Sequence, residues 1–160
     1  MQMPTVGPEI KRLTELFSGT WRGEEKLHAS DWDPKGGPGF GTWVVHPSLD
    51  GFFLLADYTE ERDGKIMYRG HGVYGWDPHA NSFTHFWFDN IGFPPKGATL
   101  GALEGTRFQY VTAEGPQQSR MTYDWKDDKF ELCQGRQVVE ARPRRPLHAR
   151  ALARRERKPV

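Results

Sequence analysis

The sequence has little cysteine and no long apolar run. Its single thiol, Cys133, excludes an internal disulfide framework and is typical of a protein in a reducing compartment. No apolar stretch reaches the roughly 20 residues that a membrane helix needs. Residues 1–10 show neither the basic start nor the apolar core of a signal peptide. These absences predict a cytoplasmic protein that does not enter a membrane.

Motifs for catalysis and for metal binding are also missing. The chain has neither Gly-x-Ser-x-Gly nor a phosphate-binding loop, and no two of its six histidines have the spacing of a zinc motif. The adjacent acids Glu24-Glu25 and Glu60-Glu61 lie on predicted strands, where neighbouring side chains point to opposite faces. Neither adjacent pair can therefore act as a carboxylate pair, and we assign no catalytic residue and no metal ligand.

The sequence is instead rich in aromatic residues and glycine, with 6 Trp, 5 Tyr, 10 Phe and 18 Gly among 160 residues. Aromatic rings favour strands, and glycine clusters favour turns. Pro8–Phe17 has helical spacing and predicts one short helix, because proline suits a first helical position. After Gly19 the apolar period is two, which predicts strands at 20–28, 40–46, 52–61, 65–76, 83–89, 106–112, 119–125 and 129–133. Short connections favour antiparallel pairing, so we expect a mainly β barrel with a short N-terminal helix.

The dipeptide Asp63-Gly64 is the best-defined turn. It favours a two-residue hairpin loop, which fixes the register of the strands on either side. Counting back from the turn places Tyr58 across from Arg69 and Ala56 across from His71. We take the face that carries these four residues as the interior, because it has no glycine gaps. Arg69 at the rim could equally extend its guanidinium into water.

The strand 83–89 has two registers open to it. Without a slip, Trp87 lies across from Gly72, and Phe86 and Phe88 point inward; this is the register that we prefer. A slip by one residue reverses every side chain. The inner face would then carry His85, Trp87 and Asp89.

The segment Gly19-Thr20-Trp21-Arg22-Gly23-Glu24 follows the short helix and resembles the Gly-x-Trp opening of the calycin superfamily, which contains lipocalins and fatty-acid-binding proteins. Further matching segments resemble an uncharacterised bacterial "domain of unknown function" family of that structural class: Leu49-Asp50-Gly51-Phe52-Phe53, Asp63-Gly64, Gly72-Val73-Tyr74-Gly75-Trp76-Asp77 and Phe86-Trp87-Phe88-Asp89. The resemblance implies a calycin-like barrel and no established activity. Haem-binding nitrobindin-like barrels open with a similar segment.

The resemblance ends near Cys133, and the composition changes there too. Residues 1–133 hold 13 Lys and Arg against 19 Asp and Glu, whereas residues 134–160 hold 9 against 2. We therefore divide the chain into a barrel domain, 1–133, and a basic Arg-rich tail, 134–160, in which only Gln137 to Ala141 could make a strand. A reading-frame change near Cys133 and a genuine basic arm both explain the tail. Nucleic-acid binding is disfavoured, because the tail lacks aromatic residues for base stacking and the body is acidic.

We expect a binding protein whose cavity accepts a small apolar or amphipathic molecule. The predicted ligand-binding residues are Trp43, Tyr58, Arg69, His71, Phe86 and Phe88. One alternative is an enzyme or haem protein that uses His71 or His85 inside the same cavity; another is a solid barrel that serves as an interaction scaffold. No cofactor is assigned, and an unclosed sheet edge would favour a homodimer.

Overall fold

The structure, a computed structural model, describes residues 3–29, 33–114, 117–134 and 137–143. One helix precedes ten strands. The elements are α1 (Pro8–Phe17), β1 (Gly19–Leu27), β2 (Gly37–Ser48), β3 (Phe53–Arg62), β4 (Lys65–Asp77), β5 (Ser82–Asp89), β6 (Thr99–Glu104), β7 (Arg107–Glu114), β8 (Gln117–Lys126), β9 (Lys129–Gln134) and β10 (Gln137–Pro143).

The strands form one continuous antiparallel sheet that curls into a barrel. Each strand pairs with the next along the chain, and β10 joins β9 to β1, which closes the sheet. The predicted fold class, mainly β with a short N-terminal helix, is confirmed. Strand β6 was missed because it is short and pairs with β5 over only three residues, Thr99 to Gly101. Strand β10 lies within the segment that composition marks as a tail; residues 144–160, including His148, lie outside the described residues.

Helix α1 covers one end of the barrel. Its buried residues Ile10, Leu13 and Phe17 follow the helical spacing that the sequence predicts. The ring of Phe17 makes edge contacts with aromatic rings of β4, β8 and β9 at centroid distances of 5.2–5.9 Å. Burying a side chain of this size stabilises the fold by about 2 kcal/mol. The indole N–H of Trp21 donates to the backbone carbonyl of Phe17 at 2.7 Å, so the first strand anchors the end of the helix.

The hairpin between β3 and β4 begins as predicted and then departs from the prediction. Both turn residues, Asp63 and Gly64, have positive φ, and the residues flanking them pair directly. One step further, Glu61 pairs with Ile66 but Glu60 pairs with Tyr68, so Met67 is an extra residue in β4. This β-bulge shifts the register by one residue and reverses the face of every following residue of β4.

The inner face of β4 therefore differs from the predicted one. Tyr58 lies across from Gly70 rather than Arg69, and Ala56 lies across from Gly72 rather than His71. The interior of β3 itself was predicted correctly, since Leu54, Ala56 and Tyr58 are buried. Glycines on the inner face of β4 leave no gap, because a large ring from β5 covers them.

That ring belongs to Trp87. It lies across from Gly72, in the unslipped register that the sequence favours. A methyl group added at Gly70 would collide with its indole ring. From the sequence, His85, Trp87 and Asp89 are expected to face inward only after a slip of one residue. They face inward without the slip, because the bulge has already reversed the faces of β4.

The barrel has two different ends. Helix α1 packs at the end where β1 starts, and the β3–β4 turn, the β1–β2 loop and the β5–β6 loop lie at the opposite end, which we call the distal end. No helix in the described part of the chain is long and apolar enough to span a bilayer.

Candidate functional site

Two of the predicted site residues lie together in the interior. Trp43 on β2 and Tyr58 on β3 face each other across the strand pair, are 3% and 8% exposed, and have ring centroids 4.6 Å apart. Both belong to the inner wall on which the ligand-binding prediction depends.

Arg69 and His71 lie on the outer face of β4, so their predicted interior position is wrong. Arg69 is exposed, and His71 forms a hydrogen bond with Asp57 on the outside of the barrel, with Nδ1 2.7 Å from Oδ1. The cause is the bulge at Met67, which turns both side chains from the lumen to solvent.

Phe86 and Phe88 also lie on the outer face, although the register predicted for them is correct. Phe88 is 45% exposed and pairs with His71, and Phe86 is half-buried beside Val73. Their predicted inward position is wrong, because it was inferred from the face of β4 that the structure places outside.

A group of polar side chains lies on the inner wall near the distal end. We call it the distal cluster; it comprises Glu25 on β1, Tyr58 and Glu60 on β3, Tyr68 on β4, and Asp89 on β5. Glu25 and Glu60 are only 6% and 9% exposed, although carboxylates are rarely buried without partners. Each buried carboxylate therefore needs a hydrogen-bond donor, a cation or a proton to offset the cost of burial.

Glu25 is the most perturbed member. Its Oε2 accepts a hydrogen bond of 2.5 Å from the Tyr58 hydroxyl. Burial raises the pKa of Glu25 to about 7, and the Tyr58 hydrogen bond opposes part of this rise. Gly41 on β2 provides the space, because a methyl group there would collide with the Glu25 carboxylate. Near neutral pH this carboxyl group is divided between its two protonation states.

Glu60 has a different environment, because a cation compensates it. Arg62 donates from Nε to Glu60 Oε1 at 3.0 Å, and its Nη1 lies 2.6 Å from Asp33 Oδ2. The same Nη1 donates to the Gly36 carbonyl at 3.2 Å. Arg62 thus ties the end of the β1–β2 loop to β3 and shares its charge between two carboxylates.

A chain of three hydrogen-bonding groups completes the wall. The Trp87 indole N–H donates to the Tyr68 hydroxyl at 2.8 Å, and that hydroxyl donates to Asp89 Oδ2 at 2.9 Å. Burial, followed by Asp89, raises the pKa of Tyr68, so this hydroxyl keeps its proton and acts as a donor. The aromatic wall is in this way held by directed bonds as well as by packing.

Deeper in the barrel, His85 lies between the rings of Tyr74 and Tyr110, at centroid distances of 4.6 and 4.4 Å. It is 2% exposed, and among the described residues neither ring nitrogen has a hydrogen-bond partner. Burial lowers the pKa of His85 to about 4, so the ring is neutral at physiological pH. A neutral imidazole offers one donor and one acceptor, and buried groups of this kind are normally paired with protein, water or ligand.

Inward-facing residues of β4 and β5 are buried in the middle of the barrel and partly exposed toward its ends. Tyr74 and His85 are 0% and 2% exposed, whereas Tyr68, Trp87 and Asp89 at the distal end, and Trp76 at the α1 end, are only partly buried. Beyond His85, the described residues of β5 have no pairing with β6. The distal part of the inner wall is therefore within reach of solvent.

The predicted site includes only Trp43 and Tyr58 of this wall, but the inward position of Glu25 could have been predicted from the sequence. Trp21 and Glu25 are four residues apart on one strand, so a core position for Trp21 implies that Glu25 points inward as well. The opposite orientation of adjacent acids is confirmed: Glu24 is exposed, and Glu61 lies 3.6 Å from Arg22 on the outside. The inward members of the two pairs belong to different strands, and only the sheet brings them near each other.

A metal site and a surface depression have less support than the inner wall. Within residues 3–29, 33–114, 117–134 and 137–143, no group of three or more His, Cys, Asp or Glu side chains is arranged to hold a metal ion. A surface depression of about 360 Å³ lies at the β8–β9 turn, at the α1 end; it is lined by residues Asp124, Lys126, Asp127, Asp128, Lys129, Phe130 and Glu131. Its mixed charges are those of an ordinary solvated turn, so the inner wall remains the candidate site.

Most of the chain matches a known protein family. Residues 7–130 match a family described as "Protein of unknown function (DUF1579)". The matched region runs from the residue before α1 into β9 and so includes the whole inner wall described above. No curated protein matches the chain.

Proposed function

The chain belongs to the DUF1579 family, whose description assigns no activity, and we therefore propose from its geometry that it binds a small apolar or amphipathic molecule inside the barrel. The ligand enters at the distal end and lies against the inner wall formed by Trp43, Tyr58, Tyr68 and Trp87. The barrel is compatible with a calycin-like fold, in which an interior site of this kind has a natural place.

The observation that carries the proposal is the partial exposure of two large rings, Tyr68 and Trp87, on the distal part of the inner wall. A barrel that is only a scaffold has no need for inward-facing Trp and Tyr side chains that contact solvent. Here Trp87 and Tyr68 do so, while the rings below them are sealed. Apolar walls with a few directed polar groups are the usual form of a small-molecule site. The unpartnered nitrogens of His85 support the same conclusion.

The test uses Nile red, a neutral dye whose fluorescence rises in an apolar site. Trp87→Leu and Phe86→Leu form a matched pair, because the two residues are adjacent on β5 and both half-buried but face opposite sides of the sheet. We expect the wild-type protein to bind Nile red, Trp87→Leu to weaken binding, and Phe86→Leu to leave it unchanged. Equal effects of the two variants, or no binding by folded wild-type protein, would favour the scaffold hypothesis.

Haem binding through an internal histidine remains the second candidate. The observation that favours it is His85, which is buried, neutral and without a hydrogen-bond partner among the described residues; His71 faces outward. A visible absorption spectrum of freshly purified protein, and of protein incubated with haem, tests this directly. A haem spectrum that His85→Phe abolishes would replace the first proposal.

The compartment, the source and the partners of the protein are part of the same proposal. A single cysteine is consistent with a cytoplasmic protein, and the resemblance described above implies a bacterial source. The partner is a small molecule rather than a nucleic acid. Strand β10 closes the edge from which a homodimer was expected, and light scattering tests the assembly.

A further inference from the structure

The distal cluster contains more negative than positive charge. Glu25, Glu60 and Asp89 all face the lumen, and Arg62 is the cation beside them. Arg62 is already divided between Glu60 and Asp33. In the described part of the chain neither Glu25 nor Asp89 has an ion-pair partner, and each accepts a hydrogen bond from a tyrosine hydroxyl instead. Among the described side chains, one or two negative charges of the cluster therefore have no cation paired with them.

Aromatic faces lie directly beside these carboxylates. The Tyr58 ring is 4.6 Å from the Trp43 ring, 6.0 Å from the Tyr68 ring and 6.3 Å from the Trp87 ring, measured between centroids. The face of an aromatic ring attracts a cation, and Trp does so most strongly, with more effect where water is excluded. The carboxylates and the aromatic faces on this wall thus both favour a positively charged ligand group.

Two buried side chains on the same wall have ring nitrogens without a protein partner in the described part of the chain. The indole nitrogen of Trp43, on a side chain 3% exposed, has no partner among the described residues, and neither has either nitrogen of His85. His85 lies next to Trp87, with ring centroids 5.9 Å apart. Unsatisfied buried groups carry a free-energy cost unless water or a ligand meets them. These groups are independent of the carboxylates and belong to the lumen below them.

We infer that the polar end of the ligand is a cation, an ammonium group on an apolar body, which the distal cluster binds while the aromatic wall holds the body. This inference rests on the proposed function, since it names the ligand class of that same site. A carboxylate head would meet one or two further negative charges in a partly desolvated site, which is unfavourable. A hydroxyl head could form hydrogen bonds but would gain no Coulombic attraction.

The first experiment compares three ligands with the same octyl chain and different head groups: octyltrimethylammonium, 1-octanol and nonanoate. The quaternary ammonium keeps its charge at every pH, and the shared octyl chain makes the apolar contribution of the tail equal. Binding is measured at pH 8 by displacement of Nile red. We expect the ammonium compound to bind at least about tenfold more tightly than nonanoate, a ratio that corresponds to about 1.4 kcal/mol. Equal affinities, or tighter binding of nonanoate, would overturn the inference.

The second experiment uses the titration of Glu25. The groups that face this carboxyl are Tyr58, Glu60 and Arg62 on β3, with Gly41 on β2. Because a cation favours ionised Glu25, binding of octyltrimethylammonium should release a proton, and its affinity should rise about tenfold between pH 6 and pH 8 if only the ionised form binds. Proton release is measured by calorimetry in two buffers of different ionisation enthalpy.

The matched variants are Glu25→Gln and Glu24→Gln, which change adjacent residues that point to opposite faces. Glu25→Gln should lower the ammonium affinity at pH 8 and remove both the pH dependence and the proton release. Glu24→Gln should retain both. A Glu25→Gln protein that keeps the pH dependence would contradict the assignment of Glu25.

Failure of this inference can be distinguished from failure of the proposed function. If the three octyl compounds displace Nile red equally, the barrel binds apolar molecules without selecting a cation, and only the inference is overturned. If neither Nile red nor any octyl compound binds to folded protein, both are overturned.

Discussion

Replacing Glu25 by glutamine tests the electrostatics of the distal cluster through protein stability. Burial raises the pKa of this carboxyl from 4.5 to about 7. Between these two values the native state holds a proton that the unfolded state has released. The free energy of unfolding therefore falls as pH rises through this window, and it stays reduced above pH 7.

The size of the effect follows from the two pKa values. Their difference, at about 1.4 kcal/mol per pH unit, corresponds to roughly 3 kcal/mol of stability that is present below pH 4.5 and lost above pH 7. The side-chain amide of the Glu25→Gln variant cannot ionise, so the variant lacks this loss. The stability of wild type minus that of Glu25→Gln should thus decline by about 3 kcal/mol between pH 4 and pH 8, and other titrating groups cancel in the difference.

The assay is urea unfolding, followed by tryptophan fluorescence, at five pH values from about 4 to about 8.5. The fluorescence signal is expected to be strong because several of the six tryptophans are buried in the core. Glu24→Gln is the control, since it removes an exposed carboxylate from the neighbouring position. A difference that stays constant with pH within about 1 kcal/mol would show that Glu25 is not buried as the structure has it and would refute the reasoning.

Three further predictions concern the same wall. Burial lowers the pKa of His85 to about 4, so the free energy of unfolding of wild type minus that of His85→Phe should fall by roughly 3 kcal/mol as pH falls from 6.5 to 4; an imidazole that titrates above pH 6 by NMR would contradict this. Gly70→Ala, which drives a methyl group into the indole ring covering it, should destabilise by about 1–3 kcal/mol in urea unfolding, while Gly97→Ala, in open space, should change little; equal effects would refute the ring's position. Tyr58→Phe removes the hydroxyl that donates to Glu25 and should move the pH midpoint of that carboxyl above 7; a midpoint that moves down would be the opposite result.

Several elements could be predicted from the sequence because they depend on neighbouring residues alone. Helix α1 follows from the spacing of Ile10, Leu13 and Phe17 after a proline, and the turn at Asp63-Gly64 follows from the positive φ that both positions require. The alternation of apolar residues places most strands, and Tyr58 points inward with Leu54 and Ala56, which lie at alternate positions of β3. In each case the preference of a short segment agrees with the final fold.

The inner face of β4 could not be predicted in this way. One extra residue, Met67, reverses the strand, and nothing in the local pattern distinguishes a bulge there from regular pairing, since both faces of β4 are fairly apolar. The choice is made across the sheet, where Trp87 requires glycine opposite it. The errors at Arg69, His71, Phe86 and Phe88 all follow from that single residue.

The sequence by itself thus determined the class of the fold, its first helix and its tightest turn, because period, proline and glycine act over a few residues. The tertiary structure alone decided which charges meet. Glu25, Glu60 and Asp89 are distant in the chain and become one cluster only when consecutive inner strands and the bulge set their side chains on one wall. Burial of a charge is a property of the closed sheet, so the raised pKa of Glu25 and the candidate site that depends on it have no counterpart in any local pattern.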